Sequence, residues 1–343
     1  MSTNKPTFAL NRRQLLKLGA MSFGGVALSP WLATLAHAQS PVAGKTIGFS
    51  QSYVTTEWIR EQREGVVDTA TKLGLKTVVL DAANSPAKQV SDLEDLVTRG
   101  VDAILISTYF SEAITPAVLE INRAGIPVIV LSSGLVGGAK WSVYLSVDTL
   151  ASARAAGQYF VDRLKGQGTV IEIDGSPGST VNQARGQGWH EVVDKQPGIK
   201  VVGRVMANYD RAKALKGMED MLQAHPKIDA VYAHSEDMAL GAIQAIREAG
   251  RQKEMFVTGY DGVAAETLKA IYDGELAMVM SYHPFGVEGV EAAARVLEKK
   301  PTPNTIAFKA PMISRENVLE YYDPATGKAK LAPSRLDAMG LTA

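Results

Sequence analysis

From residue 45 to residue 299, short aliphatic runs alternate with amphipathic stretches, and few architectures accept such a pattern. The aliphatic runs are 45–50 (KTIGFS), 75–80 (LKTVVL), 102–107 (DAILIS), 127–131 (PVIVL) and 142–146 (SVYLS), then 168–173, 199–205, 228–232, 254–259 and 276–281. Helical periodicity lies between them, at 58–73, 86–99 and 111–124, then at 149–165, 180–195, 211–224, 236–249, 263–273 and 284–299. Short, nearly all-apolar strands separated by helices predict βαβ units and parallel sheets covered on both faces. Gly74 and Gly100 stand where helix-ending glycines belong. About ten strands exceed one ordinary sheet.

The two halves also echo each other. Gly100-Val101-Asp102-Ala103-Ile104 has a counterpart in Lys227-Ile228-Asp229-Ala230-Val231, each leading into a strand that ends in small polar residues. The expected fold is therefore α/β, two Rossmann-like lobes with parallel sheets and a first boundary near 146–149. The helical stretch at 284–299 follows a strand that leaves the second lobe, which implies that the chain returns to the first.

The N-terminus predicts export. Residues 11–17 read NRRQLLK, the stretch from Leu18 to Ala36 carries no charge, and Ala36-His37-Ala38 is a small-x-small cleavage pattern. Arg12 and Arg13 add a twin-arginine signature. The expectation is a twin-arginine signal peptide over 1–38, cleaved after Ala38, and a periplasmic mature protein. An uncleaved anchor is the rival, weakened by Gly19, Gly24, Gly25 and Pro30 inside the run. Loss of 1–38 removes Lys5, Arg12, Arg13 and Lys17 and no acid, which leaves 32 basic against 36 acidic residues. That balance argues against a nucleic-acid partner. The chain has no cysteine, so disulfides, thiolate metal sites and a cysteine nucleophile are excluded.

Motifs for covalent chemistry are missing. There is no GxSxG elbow, no phosphate-binding GxxxxGK[ST] loop and no GxGxxG after the first strand. Gly186 and Gly188 sit in a helical stretch and read as packing glycines; Glu236-Asp237 stands at a helix start and reads as capping. No enzyme, metal or cofactor is expected. Ligands of open α/β sheets bind beyond the carboxyl ends of strands, and those ends are rich in hydroxyls, amides and rings. The first has Ser50, Gln51, Tyr53, Thr55, Thr56 and Trp58; the third has Ser107, Thr108, Tyr109 and Phe110; the fourth has Ser132 and Ser133. The second half offers Asp174, Asn182, Gln183 and Arg185, then Asn208, Tyr209 and Asp210, then His234, Ser235, Tyr260, Asp261, Ser281 and Tyr282. Polar groups for hydroxyls beside flat aromatic surfaces suit a sugar or polyol.

These residues carry a family resemblance. The stretches KLGLKTVVLDAANSPAKQVSDLEDLVTRGVDAILIS (72–107), AGIPVIVL (124–131), HPKIDAVYAHSEDMALGAIQAIREAG (225–250), TGYDG (258–262) and ISRENVLEYY (313–322) resemble the type I, ribose- and galactose-type periplasmic sugar-binding proteins over nearly all of the mature chain. The resemblance implies three hinge strands near 146–149, 279–283 and 309–313. It implies a first lobe of 45–147 plus 283–311, a second of 148–282 plus 312–322, and a 323–343 extension read as irregular. It implies a monomeric solute-binding component of an ABC importer, partnered by an inner-membrane permease and closing on a monosaccharide, modified sugar or polyol.

Family ligand positions carry over to Trp58, Tyr209, Tyr260 and Asp261. Thr56 and Ser235 stand where ribose binders have asparagines. Ser132-Ser133 replaces an Asp-Arg pair, Gln183 with Asn182 beside it replaces a ligand-gripping arginine, Arg185 matches a neighbouring arginine, and Tyr282 replaces a hinge glutamine. The pocket is expected to lose charge and gain rings and hydroxyls. A ligand-loaded sensor for chemotaxis or a membrane kinase shares the fold, and residue identities do not separate it from an importer. An exported sugar-acting enzyme lacks its motifs, and a lactose-repressor-type regulator lacks its DNA-binding N-terminus.

Overall fold

The computed structural model describes residues 40–330 and residue 336. The expected signal peptide and most of the 323–343 extension lie outside the described residues. The first lobe opens with β1 (Thr46–Gln51), α1 (Glu57–Lys72), β2 (Lys76–Asp81), α2 (Pro86–Thr98), β3 (Ala103–Ser107), α3 (Thr115–Arg123), β4 (Val128–Leu131) and β5 (Val143–Val147). The second holds α4 (Thr149–Leu164), β6 (Gln167–Asp174), α5 (Thr180–Val193), β7 (Gly198–Met206), α6 (Arg211–Ala224), β8 (Ala230–Ala233), α7 (Glu236–Glu248), β9 (Phe256–Asp261), α8 (Ala265–Asp273) and β10 (Met278–Ser281). The chain then returns through α9 (Gly286–Leu297) and β11 (Thr305–Phe308) to the first lobe, and β12 (Met312–Ser314) rejoins the second.

The first sheet has the order β11-β5-β4-β3-β1-β2, with every neighbouring pair parallel. The second has the order β12-β10-β9-β8-β6-β7 and is parallel except where β12 runs against β10. Strands β3, β4, β8 and β10 are buried at every position, as a sheet covered on both faces requires. Among the described residues three segments pass between the lobes: β5 into α4, β10 into α9, and β11 into β12.

Local chemistry sets the helix starts. Ser85, Asp148, Ser179, Asp210 and Ser235 each accept a first-turn amide on the side chain. Two glycines permit close helix packing. A methyl group at Gly188 would stand 2.6 Å from the Leu150 carbonyl oxygen, where α4 meets α5; one at Gly286 would strike the Gln62 carbonyl oxygen, where α9 crosses α1. Beneath α5 the second core contains Trp189 stacked on Tyr232, centroids 4.8 Å apart, with Phe160 edge-on to both.

The segment beyond 322 is not irregular throughout. Tyr322–Asp323 pairs antiparallel with Lys328–Ala329 as β13 and β14. Asp323 closes the turn by accepting from Thr326 Oγ1 at 2.9 Å and from the Gly327 amide at 2.8 Å. Two-residue strands are too short for period-2 patterning to betray them. Among the described residues no helix is long and apolar enough to cross a membrane.

Candidate functional site

The carboxyl ends of both sheets converge on one small cavity. From the first lobe come Tyr53, Thr56 and Trp58 after β1, Tyr109 after β3 and Ser132 after β4. From the second come Val181 and Arg185 on α5, Tyr209 after β7, and Ser235 and Asp237 at the start of α7. Asp261 ends β9, and Tyr282 stands on the crossing after β10. Several of these groups hold unusual backbone. Ser132, Tyr209 and Asp261 have φ of 71°, 62° and 81°, a region that costs a non-glycine residue about 1–3 kcal/mol and clusters at functional sites.

Arg185 is the centre of the arrangement. Its side chain is 3% exposed and its Nη2 donates to Asp261 Oδ1 at 3.0 Å. Nη1 donates to the His234 carbonyl, and the guanidinium lies 4.0 Å from the Tyr260 ring centroid and 4.8 Å from that of Tyr282. Nε has no partner. Asp261 also accepts from the Glu236 amide at 3.3 Å. Burial raises its carboxyl above the ordinary range, against the opposing pull of Arg185.

Aromatic rings enclose the pair. Tyr109 and Tyr209 approach across the cleft with centroids 4.7 Å apart, and Tyr53 lies 5.6 Å from Tyr109. Trp58 lies 5.9 Å from Tyr282, and its indole Nε1 donates to the Tyr282 carbonyl at 2.7 Å, which ties α1 to the crossing. The Tyr282 hydroxyl meets Ser132 Oγ and Ser146 Oγ, each at 3.2 Å. Thr56 and Ser235 cap α1 and α7 through their hydroxyl oxygens, at 3.4 Å from the Ile59 amide and 3.3 Å from the Met238 amide.

Four of the expected site residues stand elsewhere. Ser133 is fully buried and accepts from the Thr180 amide at 3.0 Å, so it bridges the lobes at the start of α5. Asn182 Oδ1 is taken by the Gly175 amide at 2.6 Å and by His234 Nδ1 at 2.7 Å. Gln183 points to solvent and donates to the Pro177 carbonyl at 2.9 Å. Tyr260 lies under the Arg185 guanidinium with its hydroxyl on Tyr232 at 2.9 Å, and does not line the cavity. Helical periodicity explains the α5 result. Positions 182 and 185 face inward and 183 faces out, so the arginine three residues on reaches the cleft.

Tyr53, Tyr109, Val181 and Asp237 line the cavity and were not singled out as ligand positions from sequence. The two tyrosines were visible as strand-end aromatics. Asp237 was masked by its place in a helix first turn, where Glu236 does the bonding by accepting from the Val263 and Ala264 amides at 3.1 and 3.2 Å. Arg185, Asp261 and Asp237 all face the cavity, so charged groups stand there beside the rings and hydroxyls.

Beside Arg185 lies a buried polar network. Glu172 accepts from His234 Nε2 at 3.1 Å and from His190 Nε2 at 3.0 Å, and Arg204 Nη2 pairs with Asp174 at 2.9 Å. The Glu172 bond lifts His190 to about 9, and the two histidines hold Glu172 well below the usual carboxylate range despite its burial. Glu172, Asp174 and His234 have donor atoms close enough to share a metal ion. Both ring nitrogens of His234 are already bonded within the protein, so the network braces α5 against β6 and β8.

The cavity is tight. It measures about 20 Å³, room for about one water, whereas small-molecule pockets run roughly 300–1,000 Å³. A groove of about 320 Å³ adjoins it between the lobes, sharing Tyr53 and Tyr209 and lined also by Asp81, Asn84, Asn208 and Lys213. Those two rings border both spaces.

A family model described as a periplasmic binding protein domain matches residues 47–301, and the chain belongs to the periplasmic binding protein family. Its two parallel-dominated lobes are those of the type I members. The chain is 36% identical over 264 residues to the ribose import binding protein of Bacillus subtilis, covering 76% of this chain and 85% of that protein. The structure is similar to the fructose-binding periplasmic domain of a hybrid two-component system (TM-score 0.77, 32% identity, 80% of this chain and 92% of that one). It is also similar to an ABC transporter solute-binding protein from Bacillus halodurans with bound myo-inositol (TM-score 0.77, 25% identity, 81% and 97% covered).

Proposed function

We propose that this chain is the exported solute-binding component of an ABC importer, and that it holds a monosaccharide, modified sugar or polyol between its lobes. The observation that carries this reading is the buried Arg185–Asp261 pair, set among aromatic rings from both lobes where the two sheets' strand ends meet. Charged partners form the stronger bonds to hydroxyls, and the rings offer flat surfaces to C–H faces. Relatives named for ribose, fructose and myo-inositol support the ligand class.

The tight cavity makes hinge movement part of the function. A guest enters through the groove once Tyr53 and Tyr209 separate, and it bridges groups of both lobes, so it interacts better with the closed state and shifts the population toward it. Micromolar affinity needs roughly 8 kcal/mol, which about six to ten hydrogen bonds and one or two stacked rings supply after ordering costs. The closed pair of lobes is then the form read by a membrane permease. No step of this asks for covalent chemistry or a cofactor, and the protein acts as a monomer.

Calorimetry with pentoses, hexoses, alditols and cyclitols tests the reading. Binding of at least one at micromolar affinity is expected; no binding by any of them overturns it. Periplasmic delivery rests on Arg12, Arg13 and the Ala36-His37-Ala38 site. N-terminal sequencing of the mature protein should begin at Gln39, and paired Arg12→Lys and Arg13→Lys substitutions should block export.

The fructose-binding relative belongs to a two-component system, which gives the sensing alternative a specific footing. Deletion of the permease with uptake and signalling both measured separates the two roles.

A further inference from the structure

The carboxylate of Asp237 is the one charged group facing the cavity without a partner of its own among the described residues. Arg185 and Asp261 neutralise each other. Two cations that pull on Asp237 are engaged elsewhere: Arg211 is held bidentately by Glu266, both bonds 2.7 Å, and Arg60 pairs with Glu57. Glu236, its neighbour, is turned away and bonded to the amides that start α8. The cavity therefore carries one negative charge more than its positive charges cancel. Burial, and after it the nearby Asp261, pushes the Asp237 carboxyl up to about 6. A partly buried acid without a cation is an arrangement that a positively charged guest relieves.

The walls agree with that sign of charge. Tyr53, Tyr109 and Tyr209 form a run of rings with centroids 5.6 and 4.7 Å apart, and Trp58 and Tyr282 face the same cavity. Aromatic faces attract cations through their negative quadrupole. The Tyr53 hydroxyl is buried next to that of Tyr109 and has no further partner among the described residues; burial first, then the neighbouring Tyr209 and Asp237, raises it. It is free to accept from an N–H donor. A hydroxyl of a neutral guest satisfies the hydrogen-bonding capacity of Asp237 but leaves its charge uncompensated.

We infer that the guest is an aminated sugar or aminated cyclitol, whose ammonium group sits between the Asp237 carboxylate, the Tyr53 hydroxyl and the tyrosine faces, while its hydroxyls engage Arg185 and Asp261. This rests on the polyol-binding reading above and narrows it. The test is calorimetry at pH 7.5 with matched pairs: glucose and glucosamine, galactose and galactosamine, myo-inositol and an inositol with one hydroxyl replaced by an amine. At least one aminated member is expected to bind tenfold or more tightly than its neutral counterpart. Asp237→Asn, checked for an unchanged melting profile, should shrink that aminated-to-neutral affinity ratio at least tenfold. If neutral members bind and no aminated member exceeds its counterpart, the inference falls and the polyol reading stands. If the ratio survives Asp237→Asn, or the variant weakens both members equally, the inference falls as well. If no member of any pair binds, and no other sugar or polyol does, both readings fall together.

Discussion

Asp261→Asn isolates the charge at the centre of the proposed site. Asparagine keeps the size, keeps an acceptor for the Glu236 amide and tolerates the φ of 81° better than alanine does. What it removes is the anion paired with Arg185, whose side chain is 3% exposed. A hydrogen bond to a charged group contributes about 1.5–3 kcal/mol, and breaking a buried pair outright costs about 3–5. The Tyr260 and Tyr282 faces and the His234 carbonyl still hold the guanidinium, so a loss of about 2 kcal/mol is expected. For a protein of about 300 residues that lowers the melting temperature by roughly 3 °C.

Calorimetric affinity for the preferred polyol should fall at least tenfold, since the same carboxylate is offered to ligand hydroxyls. The double variant Arg185→Met with Asp261→Asn separates the two effects. With neither charge left buried alone, most of the stability should return, while ligand affinity stays lost. A melting temperature within 1 °C of wild type for Asp261→Asn, or full recovery of affinity in the double variant, would refute this account of the pair.

Trp58→Phe keeps a ring in the cavity but leaves the Tyr282 carbonyl without its 2.7 Å donor; thermal melting should show a loss of about 1–3 kcal/mol. Ser133→Ala removes a bond that joins the lobes without touching the cavity. The closed state loses about 1 kcal/mol, so ligand affinity should drop about fivefold with dissociation accelerated, as stopped-flow fluorescence would register. His190, raised to about 9 chiefly by Glu172 and 27% exposed, adds stability that is complete below its ordinary 6.5 and is lost as pH rises toward 9. The shift corresponds to about 1–2 kcal/mol after discounting for exposure. Melting curves should decline between pH 6.5 and 9, and His190→Gln should flatten that decline.

The fold was legible because its signals are long and repeated. Each βαβ unit carries an apolar run, a capped amphipathic helix and a turn, and the observed bounds of α6 and of β1 to β10 lie within two residues of the periodicity. Strands β11 and β12, of four and three residues, and the hairpin beyond them are too brief to announce themselves; only the resemblance implied a crossing at 309–313. The site was legible as a location, since strand ends point to it, but not as a set of side-chain directions. Ser132 and Ser133 differ by one residue, yet one faces the cavity and the other bonds across to α5. Gln183 and Arg185 differ by two on a helix, and only the second is turned inward. Asp237 carried the standard signature of a helix first turn, and that signature conceals whether the neighbouring Glu236 already fills the structural role.

The central claim is that the lobes open for a guest and close on it, and the chain's lack of cysteine makes this directly measurable. Asn84 and Lys213 are exposed on opposite lobes and flank the inter-lobe groove. With spin labels on Asn84→Cys and Lys213→Cys, pulsed electron resonance should give a long, broad distance distribution without ligand. A short, narrow one matching the structure described above should replace it when a bound polyol saturates the protein. A distribution that stays the same at saturation would contradict the account.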